Sequence, residues 1–196
     1  MKKIFTLCLL FCLLAPVAHT QTIHWNTIEK SSSADNNKEK KLYFVDFFTN
    51  WCGWCKRMDR ETFTDPTVAK ILNKYYIPVK FNAEGNADFS WKNIRYTNTT
   101  TAPGQRPSVH SFAKYILGQQ MGFPSFVIFG ADQSTLTILQ GYKTKEELTI
   151  ILWYFCSGDY LKYSFEQYLK IFDKEIPSTP DISISRNKRS ICSSLF

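Results

Sequence analysis

The sequence predicts an α/β protein built on a mixed β-sheet, and three observations predict it. Leu42 to Phe48 is an almost unbroken apolar and aromatic run, interrupted only by Asp46, as in a strand buried on both faces. Segments that read as helices, Trp51 to Phe63 and Thr67 to Tyr75, separate it from a second strand at Ile77 to Phe81. Two later apolar runs, Phe126 to Phe129 and Leu136 to Leu139, are joined by Gly130-Ala131-Asp132-Gln133 and read as a hairpin. Strands alternating with helices, followed by a hairpin, give a central mixed sheet flanked by helices.

The remaining elements follow from local signals. Ile23-His24-Trp25 reads as a short strand leading into a helix, and Ser31 to Lys41 as a polar helix end or loop. Asp65-Pro66 supplies an N-cap with proline at the first helical position. Residues 82–108 are polar, with a Pro103-Gly104 turn signal, and read as an insertion with little regular structure. Helical spacing resumes from His110 to Gln119. Thr144 with Glu147 three residues later is a capping box opening a helix up to Phe155. Tyr163, Phe165, Tyr168, Leu169 and Phe172 recur at three and four, which predicts one amphipathic helix over Tyr160 to Phe172.

A chain of 196 residues suits one domain with a full core, taken as residues 21–176. Residues 1–20 read as a secretory signal: Lys2 and Lys3, an apolar stretch from Ile4 to Leu14, and Ala18-His19-Thr20 at the cleavage site. That stretch is too short for a permanent membrane anchor. Leu10-Phe11 before Cys12 disfavours lipid anchoring. A periplasmic or secreted protein is expected, with no membrane insertion after cleavage. The tail, residues 177–196, is polar and basic, and disorder is expected there. Cleavage leaves Cys52, Cys55, Cys156 and Cys192, too few for a disulfide scaffold, so stability must come from a core. The net charge of +7 falls to +5 without Lys2 and Lys3, and the tail holds +2 of that. A nearly balanced domain, with its aromatics in apolar runs, argues against nucleic acid as partner.

The chemistry concentrates in Trp51-Cys52-Gly53-Trp54-Cys55-Lys56, placed after a buried strand at the opening of a helix. Free backbone amides and the helix dipole stabilise a thiolate at the first cysteine. The second, one turn on, is positioned to attack a mixed disulfide formed by the first. Cys52 is the expected nucleophile and Cys55 the resolver. Half of a zinc site is an alternative, but Cys156 and Cys192 are isolated, and only His24 and His110 remain in the mature chain. A purely structural disulfide is another, though so short a loop gains little from closure. No metal and no cofactor is expected beyond the Cys52–Cys55 redox disulfide itself.

The segment Val45 to Lys56 resembles the active-site segment of thioredoxins. Its continuation, Arg57 to Pro66, is closer to exported thioredoxin-like proteins, including the reducing C-terminal domain of the inner-membrane disulfide reductase. With Phe123-Pro124 and Gly141, the similarity spans about Leu42 to Phe155. It implies a thioredoxin-like fold with the insertion placed before the strand that follows a cis-proline. Asp46, six residues before Cys52, matches the buried acid that relays the resolving cysteine's proton, and a carboxyl in so apolar a strand should have a raised pKa. A polar residue tolerated at a strand end is the plainer alternative. Lys80 matches the lysine beside that acid, or else faces outward. Pro124 corresponds to the cis-proline facing the cysteines, with Phe123 presenting its backbone to an extended substrate; an ordinary trans proline is the alternative. Trp51, Gly53 and Trp54 complete the implied substrate surface, with core packing a competing role for Trp51.

The resemblance implies a thiol-disulfide oxidoreductase acting on protein or peptide disulfides with an unidentified electron donor or acceptor, and a monomer is expected. Gly53-Trp54 lacks the histidine of strongly oxidising members, which favours a reductant. A binding module whose cysteines are not catalytic is the reading from a different class.

Overall fold

The computed structural model describes residues 21–32, 37–99, 105 and 107–175. The segments read as signal peptide and tail lie outside them. Helix α1 spans Ile28–Ser31, and the first strand, β1, spans Leu42–Phe48 with every residue but the last buried. Helices α2 (Gly53–Glu61) and α3 (Pro66–Tyr75) then carry the chain to β2 (Tyr76–Asn82). This crossover lets β2 pair parallel to β1, with Asp46 opposite Lys80. After β3 (Phe89–Trp91), β4 (Ile94–Tyr96) and α4 (Ser111–Leu117), the strands β5 (Ser125–Phe129) and β6 (Thr135–Gln140) form the antiparallel hairpin. Helices α5 (Lys145–Cys156) and α6 (Phe165–Glu175) follow.

The main sheet has the order β2-β1-β5-β6, so the strand leading to the cysteines is internal. Side chains alternate across it and build two cores. Phe44, Phe126 and Ile128 pack with Met58, Val68, Leu72, Leu148 and Leu152 from α2, α3 and α5. Tyr43, Val45, Phe47, Val127 and Phe129 point the other way, to Phe112 of α4 and to Phe89, Trp91 and Tyr96. Asp46 shares its parity with Phe44, so its carboxylate faces the layer that contains α2.

Three expectations differ from the structure. Residues 82–108 contain the β3–β4 hairpin, whose Phe89, Trp91 and Tyr96 are buried. Its turn residues Lys92 and Asn93 have φ of 50° and 62°, the left-handed pair of a tight two-residue hairpin, which neither proline nor glycine announces. The segment Tyr160 to Phe172 divides into a 3-10 turn, Asp159–Leu161, and α6. A reciprocal pair makes the break: the Gln167 N–H donates to Ser164 Oγ at 3.2 Å, and the Ser164 N–H donates to Gln167 Oε1 at 2.9 Å. Near Ile23-His24-Trp25 a single bridge forms, Asn26 with Val79, in place of a strand.

Candidate active site

β1 ends at Phe48, and Thr49 to Trp51 turn the chain so that Cys52 becomes the N-cap of α2. Cys52 and Cys55 form a disulfide, with an S–S distance of 2.10 Å and Cα atoms 5.3 Å apart. Both cysteines are only 3% exposed. The Cys55 N–H donates to Cys52 Sγ at 3.0 Å, so one of the free amides of the helix start points at the first sulfur. The same arrangement favours a thiolate there once the bond opens, since the dipole and the amide both stabilise negative charge. Gly53 opens α2, and a Cβ there would meet nothing within 4 Å, so the backbone beside the disulfide is open.

Asp46 is 1% exposed, and its Oδ2 lies 2.7 Å from Lys80 Nζ. The other oxygen, Oδ1, is buried without a hydrogen-bond partner among the described residues. Burial pushes the pKa of Asp46 up to about 6; the charge and hydrogen bond of Lys80 oppose that rise but do not cancel it. For Lys80 burial acts against the ammonium, yet Asp46 and Asp59 outweigh it and hold its pKa above the usual lysine value. Lys80 thus faces inward, its ammonium 5.0 Å from the ring centres of both Trp25 and Phe63.

The Phe123–Pro124 peptide is cis. Because Ser125 pairs with Phe47, Pro124 stands at the end of β1 from which the cysteine segment departs. The Pro124 carbonyl accepts the Gly141 N–H at 2.9 Å. Phe123 meets Trp51 edge-on, with ring centres 6.2 Å apart. Trp51 is 67% exposed, which places it on the surface and not in the core. Trp54 is 55% exposed and lies against Tyr142. The structure thus brings Cys52 with Cys55, Asp46 with Lys80, and Trp51 with Phe123, all at one end of the sheet.

Several residues in this arrangement escape a reading of the sequence. Asp59 forms a second ion pair with Lys80. It is hidden in the charged run Lys56 to Glu61, where no spacing separates a buried pairing from a solvated helix face. Glu84 accepts the Trp51 Nε1–H through both carboxylate oxygens, at 3.0 and 3.1 Å. Trp25 packs on Lys80 from a segment that carries no motif. His110, a spare ligand in the zinc alternative, is fully buried. Its Nδ1 accepts the Phe112 N–H at 3.0 Å and its Nε2 lies 2.8 Å from the Ala87 carbonyl, so both ring nitrogens are engaged by backbone groups. Cys156 is buried in α5, with its Sγ 3.8 Å from the Trp153 carbonyl; Cys192 lies outside the described residues.

No curated protein matches the chain. Among solved structures it is similar to a thioredoxin-fold protein from Helicobacter pylori, at 13% identity over 69% of this chain and 82% of that one, with a TM-score of 0.52. It is also similar to a putative disulphide-isomerase from Bacteroides thetaiotaomicron, at 21% identity over 68% and 93% of the two chains and a TM-score of 0.47. The reduced C-terminal domain of DsbD from Neisseria meningitidis shares 17% identity over 63% and 90%, with a TM-score of 0.41. The family model described as a thioredoxin-like domain matches residues 30–155, more than half of the sequence, including Asp46, Cys52, Cys55, Lys80 and Pro124. On that match, together with the fold and the cysteine pair at the mouth of α2, the chain belongs to the thioredoxin-like domain family.

Proposed function

We propose that the protein is an exported thiol-disulfide oxidoreductase that reduces disulfides in other proteins or peptides. The observation that carries this reading is the Cys52–Cys55 disulfide at the start of α2, with a backbone amide aimed at Cys52 Sγ. In the dithiol form, the Cys52 thiolate attacks one sulfur of a substrate disulfide, forming a mixed disulfide and releasing the other substrate sulfur as thiolate. Cys55 then loses its proton and attacks Cys52 Sγ. The Cys52–Cys55 bond re-forms, and the second substrate sulfur leaves. The substrate has gained two electrons and the protein has lost them. A carboxylate with its pKa near 6 suits the proton transfer from Cys55, and Asp46 is that group.

Reduction is the favoured direction because Gly53-Trp54 carries no histidine to stabilise the reduced form strongly. The redox group is the cysteine pair itself, with no cofactor, and an electron donor must return it to the dithiol. Export rests on Lys2, Lys3 and the apolar stretch Ile4 to Leu14, and makes the compartment periplasmic or extracellular. We take the working form to be a monomer free of the membrane and of nucleic acid. Reduction of insulin disulfides with dithiothreitol as donor tests the activity. Cys52→Ala should abolish it, and unchanged activity would refute the proposal. Titration of the Cys52–Cys55 pair against glutathione tests direction, and a potential near the oxidising end of the range would reverse it.

A further inference from the structure

We infer that Trp54, Tyr142 and Arg57 form a wall that selects disulfides with an aromatic side chain near the reacting cysteine. The inference rests on the oxidoreductase reading above. An indole exposed on the first turn of a helix ordinarily moves among rotamers. Here one side of it is pinned. The Tyr142 ring centre lies 5.7 Å from that of Trp54, and the Arg57 guanidinium stands 5.4 Å from the Trp54 ring centre and 4.9 Å from that of Tyr142. Glu61 closes the set: its Oε2 accepts from Arg57 Nε at 2.8 Å and from the Tyr142 hydroxyl at 2.9 Å.

Tyr142 is fixed in turn by the chain on both sides of it. Gly141, at φ 77°, donates its N–H to the Pro124 carbonyl, next to the cis peptide. Lys143 donates its N–H to Met58 Sδ at 3.2 Å and accepts from the Thr62 hydroxyl at 2.7 Å, both partners lying on or at the end of the cysteine-bearing helix. A network that only stabilised the fold would bury the ring it holds. This one leaves Trp54 55% exposed beside the disulfide.

A second aromatic pair, Trp51 with Phe123, stands at the same end of the sheet. Its anchor, Glu84, follows β2 at one edge, whereas Tyr142 follows β6 at the other. The disulfide follows the internal β1, and Phe123 leads into the neighbouring β5, which lies between β1 and β6. A segment added as an extended strand along residue 123 presents successive side chains to opposite sides, and one of them meets the wall. A preset aromatic face binds a ring with little loss of conformational freedom, which is the advantage of holding Trp54 still.

The test uses disulfide-linked dimers of a short Gly/Ser/Ala peptide with one cysteine, in which a single Phe or Ala is moved from two positions before to two after it. At one position Phe should raise kcat/KM over Ala by about fivefold or more. Tyr142→Ala and, independently, Arg57→Ala on the exposed helix face should each reduce that ratio to within about twofold of unity. A ratio near unity at every position in the unaltered protein overturns the inference and leaves the proposed function standing; so does a ratio preserved in both variants. Failure to reduce any peptide of the set sinks both.

Discussion

At the scale of single residues, Asp46 has the largest consequence. Its carboxyl moves from the ordinary 3.8 to about 6 because burial outweighs Lys80. A shift of that size is worth about 3 kcal/mol between the two protonation states. Below pH 4 the group is protonated in both folded and unfolded chains, and its ionisation costs nothing. Between about pH 4 and 6 the folded chain holds the proton that the unfolded chain has lost, so stability falls as pH rises; above 6 the full cost is present. Asp46→Asn removes it, and Asp59 remains to pair with Lys80. The variant should therefore resist urea better than the unaltered protein at pH 7.5, by about 2 kcal/mol, with the difference vanishing near pH 4. Equal stability at both pH values would show that the carboxyl is not strained. If Asp46 is the base proposed for Cys55, the same substitution should slow release of product from the Cys52 mixed disulfide and remove the inflection near pH 6 from the rate profile. Asp46 is legible in the sequence because one acid interrupts an apolar run. Asp59 and Glu84 are not, because an acid among other charges looks the same whether its partner is water or a buried lysine.

At the scale of elements, strands and helices with long apolar periods are the legible part, and short ones the illegible part. β1 coincides with its expected span because seven consecutive residues carry its pattern. β3 and β4 have three residues each and offer no period to read. Their hairpin holds through tertiary packing instead: Trp91 lies edge-on to Tyr43, with ring centres 5.2 Å apart, and contacts Phe112 and Phe129 from beyond the sheet. Gln133 ties the hairpin turn down, accepting the Lys92 N–H at 2.9 Å and donating to the Ser32 carbonyl at 2.8 Å. Trp91→Ala should then cost about 3 kcal/mol or more, as core deletions of aromatics do, whereas in a loose surface loop it would cost less than about 0.5 kcal/mol. Trp91→Phe should cost under about 1.5 kcal/mol, because it keeps a ring and removes an indole N–H that has no partner among the described residues. Urea unfolding of the two variants measures both values. A near-neutral Trp91→Ala would return residues 82–108 to the status of a loop.

At the scale of the whole molecule, the sheet separates two cores, and the redox pair sits at its end without holding either together. The Cys52–Cys55 loop closes over a sequence separation of three residues. For so short a loop the chain-entropy gain is about 2 kcal/mol, small beside the burial supplied by two cores built on opposite faces of β1. Such a molecule can be reduced and reoxidised without losing its fold, as an agent of thiol exchange requires. Dithiothreitol should therefore lower the melting temperature by only about 4–8 °C, with a single cooperative transition retained and the far-ultraviolet circular dichroism unchanged below it. Cys52→Ser with Cys55→Ser should melt close to the reduced protein, because both lack the same short closure. Loss of the transition on reduction would mean that the disulfide is a structural staple, and a protein that unfolds whenever it gains its electrons cannot turn over.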